Sequence, residues 1–151
     1  MDSRGWCWLS QSRPGADMAT YKVRELEGMV LAQAVALAEG LAWRVDSRLG
    51  EQAFQRSFAP GSPGFWGMYM PHASWSLGGP LIERERIGIA IYERQHGENP
   101  PPDSMRWIAS MEMGSDHAHA GEMLLALGPT PLIAAMRAYV ASRLGDTVEL
   151  P

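Results

Sequence analysis

Four residues in one short stretch, Asp116, His117, His119 and Glu122, are the densest group of metal-ligating side chains in the chain. Their spacing does not define a site. In an extended segment His117 and His119 share a face, whereas on a helix they lie about 200° apart and Asp116 pairs with His119 instead. A zinc signature on a helix sets two histidines four apart with a third ligand, and that pattern is missing, so solvated loop residues with Ser115 or Asp116 as a helix cap are favoured.

Gly78-Gly79-Pro80 is the second candidate, because backbone amides at a helix start can hold an anion. Glu83 and Glu85 stand close by, and the Gly-x4-Gly-Lys phosphate loop is absent, which favours a plain turn. The run Glu83-Arg84-Glu85-Arg86 could supply acid–base carboxylates if buried, but its alternating signs read more simply as a surface ladder. His72 and His96 sit beside Pro71 and Gly97 and read as loop histidines. No Gly-x-Ser-x-Gly elbow occurs, and Cys7 lies in an N-terminal segment without periodic pattern.

Arg137 lies beside the apolar arc of a helix and is expected inside, where a guanidinium needs a carboxylate such as Glu83 or Glu39, or a helix C-terminus. If the two most strongly patterned blocks, Gly78 to Glu85 and Pro129 to Leu144, touch each other, then Arg137 pairs with Glu83 or Glu85 under the cover of Trp75. Trp75, Gly78, Gly79, Glu83, Glu85, Arg137 and Tyr139 together form the candidate binding or structural cluster. The catalytic residues stay unassigned, no cofactor is expected, and metal binding through the 116–122 group is the weaker alternative.

The elements that must position these residues are written unevenly. The last helix is the clearest: Thr130 caps, Pro131 suits the first position, and Gly145 can take the left-handed conformation that ends a helix. Within it Leu132, Ile133, Met136, Tyr139, Val140 and Leu144 fall on one arc, opposite a smooth strip of Ala134, Ala138 and Ala141. Met29 to Glu39 repeats apolar residues at helical spacing until Gly40 stops it. Residues 75–85 begin as a turn and become a short helix with Pro80 at its first position.

Leu41 to Asp46, Ile87 to Tyr92 and Met105 to Met111 read as strands, and Tyr21 to Arg24 as a further short one. Residues 115–127 are ambiguous between helix and loop. Ser47 to Gly67 dissolves into a loop whose Phe54, Phe58, Phe65 and Trp66 are read as plugs for the core rather than a ligand lid. The expected architecture is a single α+β domain over residues 18–151, with one small, mainly antiparallel sheet from 41–46, 87–92 and 105–111. Helices near 28–39 and 131–144 pack it.

Composition narrows the function classes. The 151 residues carry a formal charge of −4, and the basic residues are scattered arginines with Lys22 as the one lysine. Nucleic acid is therefore a poor partner, since no basic stripe exists to displace counterions. A lone cysteine allows no internal disulfide, which suits a reducing cytoplasm. Residues 1–17 read as a disordered extension, with Met18 as an alternative start and no apolar core for a signal peptide. Read instead as a sticky tail through Trp6, Cys7 and Trp8, that extension predicts self-association into a homo-oligomer. No stretch is long and apolar enough to be read as a membrane span.

With these residues laid out, the chain resembles the NinX-like family of small phage and prophage proteins. The likeness runs through Leu26-Glu27-Gly28 with Leu31, Ala34-Val35-Ala36 and Glu39-Gly40, then through Trp75 with Gly78 to Glu85, and most closely through Pro129 to Asp146. It covers most of residues 21–148. Ala32 stands where the resemblance leads one to expect an acid, the 47–66 connection is longer than is usual there, and residues 1–17 have no counterpart. The resemblance brings no catalytic residue or cofactor. It implies a phage-derived accessory protein in the host cytoplasm, read as a non-enzymatic interaction protein with an unidentified host or phage partner. The alternative is an enzyme, or a small-ligand or metal binder, using the 114–122 segment or the 72–85 turn.

Overall fold

The computed structural model describes residues 18–41, 43–45, 53–56, 66–93, 106–113 and 121–151, with side chains in 43–45, 53–56 and 66–68 left aside. Its centre is helix α3, Pro131–Leu144, which starts as its sequence dictates. Thr130 Oγ1 accepts the Ile133 amide at 3.2 Å, and Pro131 supplies the first turn without needing a donor. Gly145, at φ +88°, ends the helix in backbone territory that a side chain rarely enters.

The docking arc expected on α3 is only half of its buried surface. Every residue from Ala134 to Val140 is buried, because β-strands cover one side of the helix while the other helices and the chain's terminal strand cover the rest. Small side chains allow this: Ala134 and Ala138 of the expected strip are fully enclosed together with Ala135, while Ala141 is partly buried, and a helix of small side chains lets neighbouring backbones come close. Helix α1, Gly28–Ala38, packs on α3 through Leu31, Ala34 and Val35. Helix α2, Trp75–Arg84, reaches α3 through Gly78 and Leu81. Full burial of side chains such as Leu31, Met136 and Val140 stabilises the fold by roughly 1.5–3 kcal/mol apiece.

Antiparallel strands supply the rest, and among the described residues they form three sheets rather than one. Strand β1, Ala19–Lys22, pairs with the last strand, β8, Thr147–Leu150, so the ends of the described chain close on each other. Strands β2, Trp43–Val45, β3, Ala53–Arg56, and β4, Trp66–Met68, form a meander of their own. The third sheet orders β5, Gly88–Ile91, β6, Trp107–Glu112, and β7, Met123–Gly128. The α+β class holds, but the segment at 41–46 does not join the strands at 88–91 and 107–112.

Three further differences have physical reasons. Residues 53–56 and 66–68 are strands inside the stretch read as a loop, where short runs between Pro and Gly left too little periodicity to see. Strand β7 was hidden because its outward positions, Met123 and Leu125, are as apolar as its inward ones, Leu124 and Ala126. Helix α2 begins at Trp75, which places Pro80 inside it instead of at its first position. The 1–17 extension and most of the 114–122 segment lie outside the described residues.

Candidate functional site

Arg137 is inside, with 1% of its surface exposed, and its partners are not the expected ones. Its Nε donates to the Leu26 carbonyl at 2.9 Å, its Nη1 to the Leu127 carbonyl at 2.9 Å, and its Nη2 to Glu27 Oε1 at 3.3 Å. Burial pushes the guanidinium below its usual value, and the Glu27 charge and hydrogen bond oppose that. The pairing with Glu83, Glu85 or Glu39 fails on helical phase. Residues 137 and 139 lie about 200° apart on α3, so Arg137 points toward β7 and the 3₁₀ turn Val23–Glu25 while Tyr139 points toward the ends of α1 and α2.

Arg143, one turn beyond Tyr139 on the same face, takes the carboxylate foreseen for Arg137. Its Nη2 donates to both oxygens of Glu85, at 3.1 and 3.2 Å. Arg84 joins the other side of the cluster: Nε donates to Glu85 Oε1 at 2.8 Å, Nη1 to Glu39 Oε2 at 3.2 Å, and Nη2 to Glu39 Oε1. The Tyr139 hydroxyl donates to Glu39 Oε1 and accepts from Arg84 Nη2 at 3.4 Å. Both guanidinium carbons flank the Tyr139 ring, 6.0 and 5.7 Å from its centre, at the range where the ring's negative face attracts a cation.

These five side chains staple the C-terminal ends of α1 and α2 to the flank of α3. Two carboxylates meet two guanidiniums, so the cluster carries no net charge, and the arginines stand about half exposed while each carboxylate is 15% exposed. Hydrogen bonds to Glu39 and then Glu85 raise the Arg84 guanidinium further above its usual value. For Glu39, burial pulls upward, but hydrogen bonds from Arg84 and Tyr139, with the charges of Arg84 and Arg143, hold the carboxyl below its ordinary value. Tyr69 is raised, first by burial and then by the neighbouring Glu39 and Tyr139.

The rest of the sequence-derived cluster is dispersed. Trp75 is 57% exposed at the start of α2 and covers neither arginine. Glu83 is exposed on the same helix, so only Tyr139 and Glu85 of the expected group enter the staple. Gly78 is buried and packs on Pro71 and Leu132, whereas Gly79 has open space where a side chain would stand. The plain turn favoured for Gly78-Gly79-Pro80 is instead part of α2, and the Gly78 amide donates to Ser74 O at 2.8 Å as a helical rung, which leaves it unavailable to an anion. The two patterned blocks do touch, through Gly78 against Leu132 and Glu85 against Arg143.

His72 lies in the turn before α2, as read from the sequence, and is buried there, and its Nδ1 has no hydrogen-bond partner among the described residues. Asp116, His117 and His119 lie outside the described residues, while Glu122 is exposed and its carbonyl accepts the Met113 amide at 2.9 Å. Among the described residues no group of three or more histidines, cysteines or carboxylates is placed to hold a metal ion. Ala32, standing where the resemblance leads one to expect an acid, is 1% exposed in α1, so a carboxylate there would need a buried partner.

Protonation should set two acid limbs and one alkaline limb on stability. Burial lowers the His72 imidazole, and Glu39 is lowered by its network, so the unfolded chain takes up more protons than the folded one as pH falls. Their stabilisation is complete above the ordinary values of 6.5 and 4.5 and is lost as pH drops through the folded ones. Tyr139 has the opposite sense: burial first, then the bond to Glu39, push its hydroxyl up to about 12 from 10.0, so its contribution holds below 10 and is lost as pH rises through about 12. Urea titrations across pH should show His72→Asn lacking the first acid limb, Glu39→Gln lacking the second and Tyr139→Phe lacking the alkaline one. An unaltered pH profile in all three variants would contradict the assignment.

A groove of about 920 Å³ lies beside β7, its lining including the charged Lys22, Arg24, Glu25 and Asp146 and the apolar Leu125 and Leu127. The sheet face next to it mixes apolar side chains with Ser110, which pairs with Leu125, and the exposed Glu112, which pairs with Met123. Pairing in register puts Ala90, Ile108 and Leu127 in one row across the face turned away from α3, with Met123 and Leu125 on the same side. Met123 is 58% and Leu125 61% exposed. Nothing in the sequence flagged this surface, because an apolar residue's burial cannot be told from its type when alternation is missing.

The family model described as Bacteriophage P22, NinX matches residues 22–143, and the chain belongs to that family. The match takes in all of α1 and α2, the sheet β5–β7 and all but the last residue of α3. Among curated proteins none matches the chain.

Proposed function

We propose that this member of the phage P22 NinX family is an accessory interaction protein, of phage or prophage origin, that works in the host cytoplasm by contact with another protein rather than by catalysis. The observation that carries this reading is the exposed apolar stripe of β7, Met123 and Leu125, beside the groove. Single exposed apolar residues are common, but two large ones adjacent on one face of a strand, beside a concave surface and bordered by Ser110 and Glu112, support a contact site with a polar rim. Trp75, the residue type most enriched among binding hot spots, stands exposed at the start of α2 and is a second contact point. The lone Cys7 is in keeping with a reducing compartment, and among the described residues no helix is long and apolar enough to cross a membrane.

Affinity capture from a bacterial lysate, with the native chain and Leu125→Lys side by side, tests this. The expected result is a specific protein retained by the first and lost by the second. Equal capture by both would sink the reading.

One observation favours the second reading, a ligand or metal binder using the 72–85 turn or the 114–122 segment. His72 is buried with an unpartnered ring nitrogen, as a ligand-ready imidazole would be. Stoichiometric metal in the purified protein that disappears in His72→Ala, or in a variant with His117 and His119 both changed to Ala, would put this reading first.

A further inference from the structure

We infer that β7 is a self-pairing edge: two copies of the chain join β7 to β7 antiparallel, making one six-stranded sheet from two three-stranded ones. The inference rests on reading β7 as a contact surface and names its occupant as a second copy.

Among the described residues strand β7 ends its sheet, with β6 on one side only. Alternation of the ladder fixes which backbone groups face outward. Glu122 O accepts from Met113 N on the β6 side, whereas Leu127 O accepts Arg137 Nη1 on the other. The odd positions 123, 125 and 127 therefore turn their N–H and C=O groups to the free edge. At Leu127 that edge is closed, since Arg137 ties its carbonyl to the chain leaving the 3₁₀ turn through Leu26 O. At Met123 and Leu125 no bond among the described residues closes it.

Edge strands of monomers are ordinarily blunted by charge, proline or a bulge. Met123-Leu-Leu-Ala-Leu-Gly128 has no charged residue and no proline, and its pairing with β6 runs without interruption. Setting Met123 opposite the second copy's Leu125, and Leu125 opposite its Met123, satisfies all four outward groups twice over about a two-fold axis at Leu124. The exposed side chains of the same two residues then meet on the outer face.

Charge argues for a copy of this chain over a partner of one sign. Lys22, Arg24, Glu25 and Asp146 are the charged residues of the groove lining that lie outside α3, with Glu25 3.9 Å from Lys22 and 3.7 Å from Arg24. These four charges cancel. An isologous contact presents one patch to itself, and a patch of single sign would repel its own image, whereas this one does not.

Sedimentation equilibrium of the full chain across a dilution series should show a dimer in reversible equilibrium with a 16.6 kDa monomer. Leu125→Lys, at an exposed site where folding is not at stake, should weaken dimerisation by at least about tenfold while leaving the circular dichroism spectrum and melting temperature unchanged. The amides of Met123 and Leu125 should gain protection from hydrogen exchange as concentration rises. A native chain that stays monomeric throughout, or a Leu125→Lys chain that dimerises as before, overturns the inference. If the native chain is monomeric yet loses lysate capture on Leu125→Lys, self-pairing is wrong and the broader contact reading stands; if neither mass nor capture changes, both fall.

Discussion

Arg137→Ala is expected to cost the fold about 2–6 kcal/mol, because it leaves two enclosed backbone carbonyls without their donor. Total stability of a domain is about 5–15 kcal/mol, so this variant should be marginally folded. The loss has several parts. The Leu26 and Leu127 carbonyls each lose a donor 2.9 Å away, and a buried acceptor left unpaired costs roughly 1–3 kcal/mol. The guanidinium also holds the 3₁₀ turn's exit against β7, replacing a strand at that point of the edge. Arg137→Lys should retain the charge but not the fork that reaches two carbonyls at once, and should fall between the two. Glu27→Gln should cost less than about 1 kcal/mol, since that carboxylate is 66% exposed and its attraction is screened. Urea denaturation of the three variants gives the order directly. An Arg137→Ala chain within about 1 kcal/mol of the parent would contradict the structural role and assign the arginine to a binding surface.

The contrast between Arg137 and Arg143 shows what a sequence yields about such a site. That Arg137 would be buried followed from its place on α3, and that α2 and α3 would meet followed from their patterning. Which arginine meets which carboxylate depends on the rotation of three helices about their axes, and no local pattern encodes that. The run Glu83-Arg84-Glu85-Arg86 read as one solvated ladder, yet α2 ends within it. Glu83 and Arg86 remain outside while Arg84 and Glu85 turn into the staple with Glu39, Tyr139 and Arg143. Helices with caps or stop signals, α1 and α3, were legible nearly to the residue because their boundaries are set by neighbours in the chain. Strand β7 was not, since its existence depends on β6 and its apolar outer face removes the alternation that would have announced it. Thr147-Val-Glu-Leu150 did alternate, with Val148 and Leu150 buried, but as a strand it has meaning only against β1 at the opposite end of the sequence.

Gly78→Ala and Gly79→Ala, neighbours that look alike in the sequence, are expected to move stability in opposite directions. A methyl at Gly78 would stand 2.4 Å from the Pro71 carbonyl oxygen and 2.8 Å from Leu132 Cδ2. Leucine can rotate away, but the carbonyl is backbone held in the turn before α2, so either that turn or the helix must shift. Overpacking of this kind costs about 1–3 kcal/mol and more where backbone has to move. At Gly79 nothing among the described residues lies within 4 Å of the added carbon, and the residue sits inside α2 with helical conformation. There alanine removes freedom from the unfolded chain and should stabilise by about 0.4–1 kcal/mol. The two outcomes distinguish a packed helix from an anion-binding turn, because in the turn both glycines would be needed for backbone approach and both alanines would harm binding. Thermal melts of the two variants should therefore bracket the parent, Gly78→Ala below and Gly79→Ala above. A Gly78→Ala melt at or above the parent's would mean that α2 does not approach Pro71 as closely as the structure places it, and the contact joining α2 to α3 would have to be redrawn.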